Sequence, residues 1–139
     1  MKPRIQSVLA VVAGFLVTAA ASTAVDAIMH ATGIFPSSAR SMSDLLFVIA
    51  STYRALFTVA GGFLTARLAP NRPMHHAWIL AGTGLVAGVA GIVFYFLVGR
   101  ERLGPAWYPV SIAAEAIPCV WFGGRLSTSG SGSRSRHRM

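Results

Sequence analysis

The sequence predicts an all-α fold: an integral membrane four-helix bundle followed by a disordered C-terminal tail. Three observations lead there. Hydrophobic residues make up 54% of the 139-residue chain and charged residues 12%, the reverse of what a water-exposed surface requires. The hydrophobic residues gather into four runs that approach or exceed the roughly 20 residues needed to cross a hydrocarbon core of about 30 Å. Those runs should be helical, because lipid offers no partner to the backbone groups of an open strand.

The first run, "IQSVLAVVAGFLVTAAASTAVDAIM", covers residues 5–29 and follows Lys2 and Arg4. A basic start and the small residues Ala19 to Ser22 also describe a cleavable signal peptide. The pattern continues past Ala21 for long enough to span, which favours a retained helix. The second run covers 44–66 and opens after "TGIFPSSARSMS", where Ser41-x-x-Asp44 resembles a capping box. In "LAPNRPM", two prolines around an Asn-Arg pair separate it from the third run, 76–98. "GRERLGP" then turns the chain into the fourth and shortest run, 107–124. Residues 1–126 are thus expected to form one transmembrane domain. Residues 127–139, rich in serine, glycine and arginine, should form a disordered basic tail.

The net charge of +8 raises nucleic acid as a partner, but the basic residues sit at the ends of the runs and in the tail. That placement is how orientation is encoded in membranes. Lys2, Arg4, Arg67, Arg72, Arg125, Arg134, Arg136 and Arg138 fall on one side; Arg40, Arg100 and Arg102 fall on the other. By the positive-inside rule both termini are cytoplasmic. Aromatic belts agree, with Trp107, Tyr108 and Phe94 to Phe96 near the outer boundary and Trp78 and Trp121 near the inner one. The lone Cys119 permits neither an intrachain disulfide nor a multi-cysteine zinc site. There is no phosphate-binding glycine loop, no H-E-x-x-H, no C-x-x-C and no nucleophile elbow, so no enzyme activity and no cofactor are expected.

One residue stands against this pattern. Arg54 lies ten positions into the second run, roughly 15 Å from its outer end, where a charge costs about 2.5–3.5 kcal/mol and needs a partner. Glu115 lies roughly 12 Å into the fourth run, which points the same way. The matching depths predict an Arg54–Glu115 ion pair held through two parallel hydrogen bonds. Ser51 and Thr58 share the Arg54 face, and Ser111 and Cys119 flank Glu115 at i±4. On the first run Gly14, Thr18, Ser22, Asp26 and His30 recur every four residues, so Ser22 and Asp26 are further candidates for a polar lining. Asp26 and His30 also have the spacing of two metal ligands. Without a third, polar groups at a wet interface explain them better and no metal is expected.

The stretches "RPMHHAWILAGTGL" and "LGPAWYPVSIAAEAIPCVWFGGRL" resemble segments of small, uncharacterised bacterial four-span membrane proteins. The resemblance implies a bacterial inner-membrane setting and carries no site. In size and span count the chain is also similar to small multidrug-resistance exporters. Those keep their essential carboxylate in the first helix, whereas here the mid-membrane carboxylate is Glu115 in the fourth. The expected role is structural or interactive: an accessory subunit or a homo-oligomer whose partners are the lipid bilayer and other membrane proteins. The alternative is a small transporter or channel-like protein using Glu115, with Arg54 as counter-ion.

Overall fold

The computed structural model describes residues 2–39, 42–99 and 103–132. It is all-helical, with α1 over Pro3–Ala31, α2 over Asp44–Leu68, α3 over Pro73–Val98 and α4 over Trp107–Gly132. No strand occurs among the described residues. Helices α1, α2 and α3 are long and apolar enough to cross a membrane, with mean hydropathies of 2.2, 1.5 and 2.0 over their best windows. Less than a quarter of each window is buried within the protein. Leu45, Val86, Phe96 and Leu97 accordingly point outward, a surface suited to lipid and costly in water. In α4, Glu115, Pro118 and the glycines dilute the apolar character.

The helix ends depart from the sequence expectation for identifiable reasons. Pro3 and Pro73 each open a helix at the first turn, ahead of the starts expected at 5 and 76, because the missing N–H has no partner to lose there. Ser43 holds the N-cap position of α2 without a side-chain cap bond, and Ser41 of the expected capping box lies outside the described residues. The largest correction concerns α4, which does not stop at 124. It runs through the expected boundary at 126–127 to Gly132, so the tail predicted for 127–139 is helical over its first residues. Ser127 is buried, and the hydroxyls of Thr128 and Ser129 bond the Arg125 carbonyl at 2.9 and 3.0 Å, inside the helix. Residues 133–139 lie outside the described residues.

Three registers define the bundle. Ala10, Gly14 and Thr18 meet Thr65, Gly61 and Phe57, so α1 and α2 run antiparallel. Gly88, Gly84 and Gly124 approach Ala113, Ala116 and Ala77, which makes α3 and α4 antiparallel. Ser51 and Gly62 meet Ser111 and Val120, so α2 and α4 run parallel. Helix α2 packs against all three others, whereas α1 and α4 do not pack on each other. Both chain-terminal helix ends therefore lie at one end of the bundle. The α1–α2 and α3–α4 loops lie at the other, called here the double-loop end.

Close approach depends on glycine where backbones nearly touch. A Cβ on Gly123 would stand 2.0 Å from the Val59 carbonyl oxygen, and one on Gly61 2.7 Å from that of Gly14. Such small-residue contacts take the place of a hydrophobic driving force between helices in lipid. Thr65, fully buried, adds a hydrogen bond of 3.1 Å to the Ala10 carbonyl.

Candidate functional site

The arginine in mid-span is held by the first helix, not the fourth. Arg54 Nη2 donates to Asp26 Oδ2, and the hydroxyl of neighbouring Tyr53 donates to Asp26 Oδ1. Both carboxylate oxygens are thereby engaged. Glu115 makes no hydrogen bond and no ion pair with Arg54 among the described contacts, so the expected Arg54–Glu115 pair is replaced by Arg54–Asp26.

Depth alone favours Glu115 over Asp26. The register that joins Ser51 to Ser111 and Gly62 to Val120 sets Glu115 level with residues 55–56, the depth expected for it. Two other properties decide. The first is angular: Gly61 and Thr65, two and three turns below Arg54 on its stripe, touch α1, whereas Ser51 at the stripe's edge touches α4. Arg54 belongs to the α1 side. The second is the lean of side chains toward the N-terminus of their own helix. In the antiparallel α1–α2 pair, Arg54 leans toward the double-loop end and Asp26 leans away from it. They close an axial offset of about 7.5 Å, the rise of five residues. In the parallel α2–α4 pair both lean the same way and nothing converges.

The ion pair forms one wall of a cavity of about 270 Å³ at the double-loop end. Tyr108 of α4 stands beside Arg54 in that wall, and His30 lies one turn beyond Asp26. Phe35 closes it from the α1–α2 loop, buried and edge-on to His30 with ring centroids 5.6 Å apart. Phe47, its ring tilted against Tyr108 with centroids 5.0 Å apart, completes the aromatic frame. Arg54 and Asp26 keep 28% and 29% of their side-chain surface exposed, so this is a half-open vestibule. The chemistry on offer is asymmetric. Each Asp26 oxygen already accepts a bond, while the guanidinium of Arg54, bonded to Asp26 through Nη2 and lying beside the Tyr108 hydroxyl, keeps further N–H groups. The pocket presents donors to an acceptor.

The remaining candidates divide between packing and the site. Ser51 and Ser111 hydroxyls meet at 3.3 Å and tie α2 to α4. Thr58 bonds the Arg54 carbonyl of its own helix at 2.8 Å. Ser22 is buried on the α1 stripe and Cys119 is a half-buried free thiol. His30 is largely exposed, and no group of three or more His, Cys, Asp or Glu gathers among the described residues. Arg40, Arg100 and Arg102 of the outer basic set lie outside the described residues. Sequence spacing does not point to Tyr53 or Phe35, and places Tyr108 only in the outer aromatic belt. A tyrosine adjacent to an intramembrane arginine was the available signal for the first.

No protein-family model matches the chain, and neither a characterised protein nor a solved structure is detectably similar to it.

Proposed function

We propose that the protein acts by interaction: a rigid multi-pass unit of the bacterial inner membrane that assembles with itself or serves as an accessory subunit. The observation that carries this reading is the contrast between its two intramembrane carboxylates. Asp26 is consumed within the chain by Arg54 and Tyr53, whereas Glu115, half-buried on the flank of α4, has no hydrogen bond among the described residues. An ionisable group at that depth is expensive unless it meets a partner. A transport role with Arg54 as counter-ion to Glu115 is weakened, because Arg54 already serves Asp26.

The test is assembly in native membranes. Cross-linking or native mass spectrometry should detect a complex containing the wild-type chain, and Glu115→Gln should reduce it by about tenfold, the equivalent of one polar contact in lipid. A wild-type chain that remains monomeric and uncomplexed contradicts the proposal. The same reading orients the bundle with both termini cytoplasmic, supported by the basic residues that flank the terminal end. Arg67 and Arg125 lie over the rings of Phe63 and Trp121 there, at 5.9 and 5.4 Å. Reporter fusions in the α3–α4 loop are expected to label from outside and fusions after Gly132 from inside; reversed labelling overturns this orientation.

A further inference from the structure

The vestibule does not end at Arg54 and Tyr108. A smaller pocket of about 200 Å³ shares Leu103 and Tyr108 with it. That pocket in turn shares Gly91, Pro109 and Ile112 with a third cavity of about 270 Å³, which is almost wholly apolar. The apolar cavity follows α3 from Gly91 down to Leu80, a rise of roughly 16 Å, about the depth of one leaflet of a 30 Å core. It exists because α1 and α4 do not pack on each other, leaving the glycine face of α3 partly uncovered. Three adjoining cavities thus extend from polar donors at the double-loop end to an apolar space along α3 toward the membrane centre.

The geometry points to a binding site for one phospholipid, with its phosphodiester against the free guanidinium donors of Arg54 and the Tyr108 hydroxyl and one acyl chain in the α3 groove. A phosphate oxygen matches the asymmetry of the vestibule, because Arg54 has donors to spare and Asp26 has no acceptor oxygen unengaged. A chain-bearing ligand explains why the polar and apolar spaces adjoin. An apolar helix in the groove would leave the vestibule's donors unanswered, and a soluble anion would leave the groove empty.

Gly91 supplies a clean probe. It lines both lower pockets, and a Cβ built on it meets nothing within 4 Å, so a large side chain can fill the groove without disturbing the packing. Gly82 has the same freedom and lines neither pocket, which makes Gly82→Phe the control. The full chain would be reconstituted in phosphatidylglycerol vesicles, extracted in mild detergent and weighed by native mass spectrometry. Wild type and Gly82→Phe should each retain one phospholipid, and Gly91→Phe none at an unchanged melting temperature. Tyr108→Phe, which leaves the ion pair in place, should retain it about fivefold more weakly. Diacylglycerol, which lacks the phosphate, and glycerol phosphate, which lacks the chain, should both fail to bind. Equal retention by Gly91→Phe and wild type overturns the site, and so does retention of diacylglycerol as strong as that of phosphatidylglycerol.

Discussion

Asp26→Asn is expected to destabilise the bundle by about 2–3 kcal/mol, at the low end for removing one partner of a buried ion pair because this pair is partly exposed. The substitution preserves shape and removes charge, leaving the Arg54 guanidinium in a low-dielectric span with a neutral amide as its acceptor. The Tyr53 hydroxyl loses a charged acceptor at the same time. Tyr53→Phe alone should cost about 1 kcal/mol, the scale of one hydrogen bond. Combining Asp26→Asn with Arg54→Gln should recover much of the loss, since no uncompensated charge remains. Glu115→Gln should change the stability of the isolated chain by less than about 1 kcal/mol, because no hydrogen bond or ion pair among the described residues depends on that carboxylate. Reversible unfolding in micelles measures all four. Strictly additive losses for Asp26 and Arg54 would show that they do not interact.

A comparable loss is expected at the opposite end of the bundle. Gly123→Ala should cost about 2–3 kcal/mol and Gly123→Leu should prevent α4 from docking. The new Cβ would meet the Val59 carbonyl oxygen at 2.0 Å and the Phe63 nitrogen at 2.8 Å. Both are backbone atoms of α2 and cannot swing aside as a flexible side chain can. Separation of the two helices would also pull Ser51 from Ser111, which lie along the same contact. Gly82→Ala makes the informative comparison. With open space around it, the change should be neutral or stabilising by up to about 1 kcal/mol, from helix propensity alone. A Gly123→Ala protein as stable as wild type would show that α4 is not seated against α2 in this way.

Most of the architecture was legible because lipid imposes simple rules on a sequence. Long apolar runs must be helices, and the every-fourth-residue stripe from Gly14 to Asp26 is the face that α1 turns to α2. The Ser51 and Ser111 stripes likewise meet as their spacing suggests. What escaped was angular. A stripe that runs from Ser51 through Arg54 and Thr58 to Thr65 faces two neighbours at once, and spacing along one helix does not say which residue belongs to which. Arg54 and Glu115 do share a depth, but the guanidinium sits on the α1 side and leans away from mid-span, where an antiparallel aspartate converges on it. Counting residues from the helix end places Asp26 at the wet interface. That count omits the reach of a long side chain. The end of α4 was misread for a different reason. Gly123-Gly124 looks like a helix stop, and in the bundle both glycines are contact points that carry the helix past them.

The most direct test of which carboxylate holds the arginine is a distance measurement in bilayers. Solid-state NMR on chains labelled at the Arg54 guanidinium nitrogens and the carboxyl carbons of Asp and Glu should give a strong dipolar coupling from Arg54 to Asp26. The coupling should correspond to about 4 Å or less, and Asp26→Asn should shift or abolish it. A strong coupling to the Glu115 carboxyl with none to Asp26 would contradict the assignment.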